Sequence, residues 1–582
     1  MEPFSSTSNW FLNFFFNLQI LVVLFFCPFS CSSSSSSSLH PLIAESQAIH
    51  HNHTAISDFR LVNRRKLGDC PDLNPYQQTI NVSSGLKLGD QEFVTVTVSG
   101  VLFPSKLDWI GMISPSHSDV NSCPDSAINY LQTGDFSSLP LLCHYPVKAV
   151  LLSSDPDYLS CKKKECRKHK KGKCTAATCS GSVKFHVINI RTDIEFVFFS
   201  GGFLTPCIVA RSSPLSFSNP NRALYGHISS IDSSGTSMRV TWVSGDDKPQ
   251  QLQYDGGKTQ ASQVTTFTQN DMCRFIHSAV MSDLKPSTNF TYRYGSNSVG
   301  WSDQIQFKTP PAGGSDELKF LAYGDMGKAP RDVSVEHYIQ FVLISRDYME
   351  HGDVYFYPDS GGECGVPYET YFPMPTQAKD KPWYSIEQGS VHFTVISTEH
   401  DWQNNSEQYQ WMNKDMASVD RSKTPWLVFM GHRPMYSSSP GLLGVDQNFV
   451  NEVEPLLTAN KVDLVLFGHV HNYERTCSVY KNACLAMPKK DESGIDTYDH
   501  NNYTAPVHTV IGMAGFVLDQ FPKTVNNTWS LKRISEFGYF RGHATKEELK
   551  LELVNAAKKN VKDSFRIIKK QDPSNRKMKI GR

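Results

Sequence analysis

Three short, largely apolar runs, each ending in a polar cluster, constrain this chain more than any other feature. Leu318–Tyr323 leads into Gly324-Asp325-Met326-Gly327, Trp426–Met430 into Gly431-His432-Arg433-Pro434, and Val462–Phe467 into Gly468-His469-Val470-His471. A strand that is apolar along its length must be covered on both faces. The helical patterns over Ser406–Ser418 and Asp446–Ala459 supply that cover. The region 316–545 is therefore expected to be an α/β domain with a buried sheet. Polar residues just beyond the strand ends are where such sheets keep their sites.

The residues before this domain have a different texture. From 46 to 215 the alternation in Glu92–Val98, the run Val183–Ile190 and the strand Ile194–Phe199, all broken by Pro, Ser and Gly, predict a β-rich, sandwich-like domain. A second sandwich is expected over 216–310, with strands at Met238–Val243, Gln251–Tyr254, Val264–Thr268 and Phe290–Gly295, and with Trp242 as a core aromatic. Thr309-Pro310-Pro311-Ala312-Gly313-Gly314 ends any regular element and marks the domain boundary. Residues 546–582 form a C-terminal extension. There, Lys546–Val554 and Val561–Lys570 alternate enough for edge strands or a short terminal element, to which no chemistry is assigned.

The N-terminal segment Trp10–Phe29 and the serine run after it suit a cleaved signal within 1–31, with no membrane span expected after cleavage. Fourteen cysteines, with Cys27 and Cys31 in or beside that segment, leave an even remainder, which suits an oxidising compartment. Sequons at Asn52, Asn81, Asn289, Asn404, Asn502 and Asn526 suit a glycosylated product of the same route. The expected destination is extracellular or the cell wall, with the vacuole as the alternative. Cys161, Cys166, Cys174 and Cys179 flank the basic run Lys162–Lys173. Their spacing lacks the tight pairs of zinc modules, so disulfides around a solvated lysine loop are expected. Fifty-seven basic residues balance fifty-seven acidic ones, so no global field recruits nucleic acid.

At the strand ends, Asp325, His432, His469 and His471 form a mixed oxygen and nitrogen set that suits Fe, Zn or Mn better than Ca or Mg. Two such ions would polarise a phosphoryl oxygen and lower the pKa of bound water, which points to phosphate ester hydrolysis. Glu399, His400 and Asp401 follow the strand Val391–Ser397 and belong to the same rim. His400 and Arg433 are the candidates for catalytic contacts. No H-E-x-x-H sequence supports a metallopeptidase.

At these residues the chain resembles the plant purple acid phosphatases of high molecular weight, especially their nucleotide pyrophosphatase/phosphodiesterase-like branch. The resemblance rests on Asp325-Met326-Gly327 for D-x-G, Val428–His432 for V-x-x-H with one extra residue, and Gly468–His471 for G-H-x-H. It implies two N-terminal sandwiches, the second fibronectin type III-like, followed by a calcineurin-like metallophosphoesterase domain. It also implies that Asp325 and His471 hold a ferric ion, and that His432 and His469 hold a divalent Zn, Mn or Fe. The implied substrate is a phosphoester or nucleotide-like small molecule, and a homodimer is open.

Two blocks of the resemblance are missing. G-D-x-x-Y, with its bridging Asp and iron-colouring Tyr, and G-N-H-E, with its Asn ligand, have no counterpart between Asp325 and His432. Gly352-Asp353 is followed by Phe356, not Tyr, at the required offset, so Asp353 reads as a turn residue. Abrupt joins near Gln340–Arg346 and at Cys273–His277 point to an internally shortened chain. Hydrolysis of phosphate monoesters, diesters or nucleotide pyrophosphates is the lineage expectation. The alternative is an inactive secreted glycoprotein with a binding or regulatory role. Cys477 and Cys484 enclose a loop beyond His471 suited to a local disulfide.

Overall fold

A computed structural model describes residues 68–69, 77–116 apart from 84 and 86, 148–202, 207–266, 275–325, 370–376, 378, 381–440, 444–515, 518–524 and 527–570. The signal segment, Asn52, Asn526, Met326-Gly327, Cys273, the join near Gln340–Arg346 and Asp353 lie outside the described residues.

The first domain is a two-sheet sandwich. In one sheet Thr79–Val82, Gln91–Val101, Lys173–Ile188 and Lys164–Lys170 lie side by side in that order. Strict alternation along Gln91–Val101 turns Val94, Val96 and Val98 inward against Ile110, Met112, Phe196 and Phe198 of the facing five-stranded sheet. The lysine-rich segment is not a loop but the edge strand of this sheet. Its cysteines are disulfide-bonded as Cys161–Cys179 and Cys166–Cys174. Backbone pairing supplies the order, because Lys164–Lys170 runs antiparallel to Lys173–Ile188 across a tight turn.

A second sandwich follows, with Leu224–Ser230, Met238–Ser244, Phe275–Met281 and Gln263–Thr265 in one sheet. Gln251–Tyr254 and Asn289–Ser296 lie in the other. Trp242 is fully buried between them, its indole N–H donating to Gln250 Oε1 at 2.8 Å. The segment after it has no regular structure but is firmly packed. Thr309, Pro310 and Pro311 are buried, Gly313 N–H reaches Ser233 O at 2.8 Å, and Gly314 N–H reaches Gly389 O at 2.7 Å.

The third unit is built on an eight-stranded sheet whose centre is parallel: Val391–Val395, Trp426–Gly431, Leu464–Phe467 and Val507–Ile511. Helices Glu407–Ala417 and Gln447–Ala459 start where Ser406 and Asp446 cap their first N–H groups. They cover one face through Met412, Met416, Phe449, Val453 and Leu457. The other face meets a six-stranded sheet ordered Leu318–Ala322, Gly538–Ala544, Glu548–Asn555, Val561–Ile568, Asp496–Asp499 and Lys489–Lys490. The C-terminal segment is thus not a separate extension with edge strands. Glu548–Asn555 and Val561–Ile568 are interior strands whose Leu549, Leu551, Leu553, Phe565 and Ile567 complete the core.

Candidate functional site

The C-terminal ends of two parallel strands, and of the edge strand of the facing six-stranded sheet, deliver their polar residues to one place. Trp426–Gly431 ends at His432, Leu464–Phe467 at Gly468, and Leu318–Ala322 at Gly324-Asp325, which Gly324 N–H ties to Ile511 O at 3.0 Å. Asp325 and His469 both adopt left-handed backbone (φ 55° and 64°), a conformation that costs non-glycine residues energy and persists only where the surroundings impose it. Glycine is required beside them. A Cβ on Gly468 would collide with Asp325 Oδ2, and one on Gly512 would sit 2.9 Å from the same atom.

Asp325 is the hub. Its Oδ1 lies 3.5 Å from His432 Nε2 and 3.8 Å from His471 Nε2, and its Oδ2 accepts the His469 backbone N–H at 2.9 Å. The expected set therefore gathers: Asp325, His432, His469 and His471 share one buried pocket, and Arg433 joins them. His400 is placed differently. Its Nδ1 is 2.9 Å from Ser397 Oγ and its ring packs edge-on against Trp383 at 5.7 Å, which ties it to the wall. The acid that enters the pocket is Glu399. It takes Arg433 Nε on both oxygens at 2.8 and 3.0 Å and lies 3.1 Å from His432 Nδ1. The strand-end rule that marked the histidines marks Glu399 equally. Asp519, which accepts His471 N–H at 2.8 Å from an irregular loop, carries no such signal.

The electrostatics decide what this set can do. Burial works against the Glu399 carboxylate, but Arg433 and His432 beside it hold its pKa well below the usual range. His469 is pushed well below the ordinary histidine value by burial first, then by the positive charge of His432 and Arg433. A neutral His469 ring turns its Nε2 lone pair toward Arg433 NH1 at 3.2 Å, so that lone pair accepts from a guanidinium. Nearby, Asn472 is fully buried and neither its amide N nor its amide O has a partner among the described residues. Among the described residues no group of three or more His, Cys, Asp or Glu side chains is arranged to hold a metal ion. The residues present do not fit a two-metal clamp, because one histidine lone pair faces a cation. The blocks that would supply the bridging carboxylate have no counterpart in the sequence.

Layered this way, with histidines after the parallel strands and an aspartate after a strand of the facing sheet, the domain is of the calcineurin-like phosphoesterase class. Residues 80–219 match the Fn3-like domain from purple acid phosphatase, 224–309 the purple acid phosphatase N-terminal domain, 335–473 the calcineurin-like phosphoesterase, and 505–564 the iron/zinc purple acid phosphatase-like protein C. The phosphoesterase match begins only beyond Asp325. In Arabidopsis thaliana, probable inactive purple acid phosphatase 27 is 32% identical, with 82% of this chain and 87% of that protein covered. Probable inactive purple acid phosphatase 1 from the same plant is 31% identical, with 80% and 85% covered. The solved purple acid phosphatase PPD1 from yellow lupin (Lupinus luteus) seeds superposes with a TM-score of 0.69 at 27% identity, covering 84% of this chain and 96% of that one. This chain belongs to the purple acid phosphatase family. The first of these alignments spans 566 positions yet covers only 82% of the 582 residues here, so the relative carries segments that this chain lacks.

Proposed function

We propose that this chain is a non-catalytic, exported glycoprotein of the purple acid phosphatase family with a binding or regulatory role. The observation that carries the reading is the His469 Nε2 lone pair directed at Arg433 NH1, inside a pocket without the bridging carboxylate block. Asp325, His432, His469 and His471 are read as the remnant of a ligand set for a ferric and a divalent ion, and Arg433 as the group that closes it. The relatives of 32% and 31% identity that bear the word inactive in their names support the same side. A phosphoester or nucleotide-like small molecule remains the ligand class that the lineage suggests, bound without turnover. Export is supported by the apolar N-terminal segment, by the disulfides, and by the exposed positions of Asn81, Asn289, Asn404 and Asn502 as glycan acceptors.

The test compares this chain with a version carrying G-D-x-x-Y and G-N-H-E segments restored between Asp325 and His432. Bound metals, visible absorption, and hydrolysis of a phosphomonoester and a phosphodiester between about pH 5 and 7 are measured on both. Two bound metals, a visible tyrosine–iron band and turnover are expected only after restoration. The same three signals in the unrestored chain would overturn the proposal.

A further inference from the structure

The segment 161–179 is a rigid cationic finger. Lys164–Lys170 and the start of Lys173–Ile188 form an antiparallel hairpin closed by Lys171 and Gly172, whose positive φ values (52° and 75°) define the mirror-image turn that suits strand twist. Disulfides Cys166–Cys174 and Cys161–Cys179 clamp it at two levels. Residues 162–165 and 167–175 are exposed. Over 162–173 the sequence places seven lysines and one arginine against one glutamate, in a chain whose total charge balances to zero. Lys162 pairs with Asp157, Lys163 with Asp155, and Arg167 with Glu165. Lys164, Lys168, Lys170, Lys171 and Lys173 have no acidic partner among the described residues. Lys170 and Lys173 stand directly opposite each other across the ladder, a like-charge pairing that works against the hairpin's own stability.

We infer that this finger is a docking surface for an extended polymer of carboxylates, a polyuronate-type acidic polysaccharide. Charge complementarity supplies the attraction, and the two disulfides fix the backbone that carries the lysines before binding, so little backbone order is lost on association. The residue types select among polyanions. Lysine is a hydrated point charge that attracts spaced anionic groups without a bidentate geometry, and the arginine fork that would grip one anionic group bidentately is present here only at Arg167. The span 161–179 contains no Phe, Tyr or Trp on which bases could stack, and no Leu, Ile, Val or Met to enter a bilayer. Lysines on an edge strand also deter sheet-to-sheet aggregation, and that role alone is the competing outcome. The inference is independent of turnover in the phosphoesterase pocket.

The experiment uses the full exported chain and sodium polygalacturonate as the probe, with neutral dextran, duplex DNA and anionic phosphatidylserine vesicles alongside. The variant Lys164→Gln/Lys168→Gln/Lys170→Gln/Lys171→Gln/Lys173→Gln keeps both disulfides, and the matching Lys→Arg variant keeps the charge. Wild type and the arginine variant should bind polygalacturonate and not dextran. The glutamine variant should bind at least about tenfold more weakly, and raising salt to about 0.5 M should release the wild type. Equal binding by the glutamine variant would overturn the inference. So would tighter binding of wild type to DNA or vesicles than to polygalacturonate. Self-association of the glutamine variant with no polymer binding by wild type would leave edge protection as the finger's only role and overturn it as well. Matching thermal transitions of the three proteins tie any loss to charge, not to unfolding.

Discussion

The parallel strands of the phosphoesterase domain carry a buried charge cluster at each end, and the two are built on opposite terms. At the N-terminal end Asp463 is fully buried, and each of its oxygens is occupied. Arg421 NH1 lies at 2.9 Å, Lys569 Nζ at 2.6 Å, His500 Nδ1 at 2.9 Å, and the Leu427 N–H at 3.0 Å. Burial opposes the carboxylate, but Lys569 and Arg421 hold its pKa far below the usual range. At the C-terminal end Glu399 and Arg433 satisfy one another. The His432 and His469 rings, however, meet edge to face at 4.9 Å, one of them is held neutral, and Asn472 has no partner among the described residues. A closed network fixes chain segments to one another. The open one leaves both polar atoms of the Asn472 amide without a partner among the described residues, while the closed one leaves His500 Nε2 so, and what tells the two apart is that the carboxylate of the closed one is met at both oxygens by cations and N–H groups from distant segments.

The largest effect expected from this contrast is at the closed end. Asp463→Asn strands Arg421 and Lys569 without their buried counter-ion and should cost about 3–5 kcal/mol in denaturant unfolding. A loss under about 1 kcal/mol would mean that the cluster does not clamp the C-terminal strand.

The second effect is pH dependence from the same end. Burial alone would lower the pKa of His392, but Asp415 at 3.1 Å and Glu387 at 3.4 Å outweigh it and raise the value to about 9. A raised folded-state value means that this contribution is fully present below the unfolded value of 6.5 and fades as pH climbs through about 9. Unfolding free energy should therefore fall by roughly 3 kcal/mol across that window, and His392→Gln should flatten the profile. An unchanged profile in the variant would remove His392 as the source.

The smallest stability change is expected at the open end. Glu399→Met/Arg433→Met removes both buried charges together and should alter stability by less than about 1.5 kcal/mol. It leaves the His469 lone pair without a guanidinium donor. Zinc uptake by the purified variant, measured against wild type, should rise toward one ion per chain. No gain would mean that Arg433 is not what closes the pocket.

Much of this was legible from residue order. The helical patterns over Ser406–Ser418 and Asp446–Ala459 located both helices, and the structure adds that Ser406 and Asp446 cap their first N–H groups. Asp325, His432, His469 and His471 were legible together because each follows an apolar strand; parallel strands share one end and so gather the three histidines, while Asp325 arrives there from the antiparallel edge strand of the facing sheet. Arg433 rode along with His432. The choice of His400 over Glu399 could not be made from position, since both follow the same strand. It turned on Ser397, whose hydroxyl holds the His400 ring while the next carboxylate swings to Arg433.

The interior position of the C-terminal strands is hidden in the sequence for a related reason. Alternation in Glu548–Asn555 reports one buried face but is silent on whether neighbours pair on one edge or both. The lysine run spells a loop because charge masks strand propensity where backbone pairing and two disulfides supply the order. By itself the sequence determined the chain's lineage, its three-part organisation, the identity of the four strand-end residues and the absence of the two ligand blocks. These are properties of local pattern and spelling. Only the tertiary structure decided that the His469 lone pair meets Arg433, that Glu399 enters the pocket, and that Asp463 draws its cations from residues 42 and 106 positions away. Such contacts depend on the direction of a side chain across a packed interior, which sequence spacing does not encode.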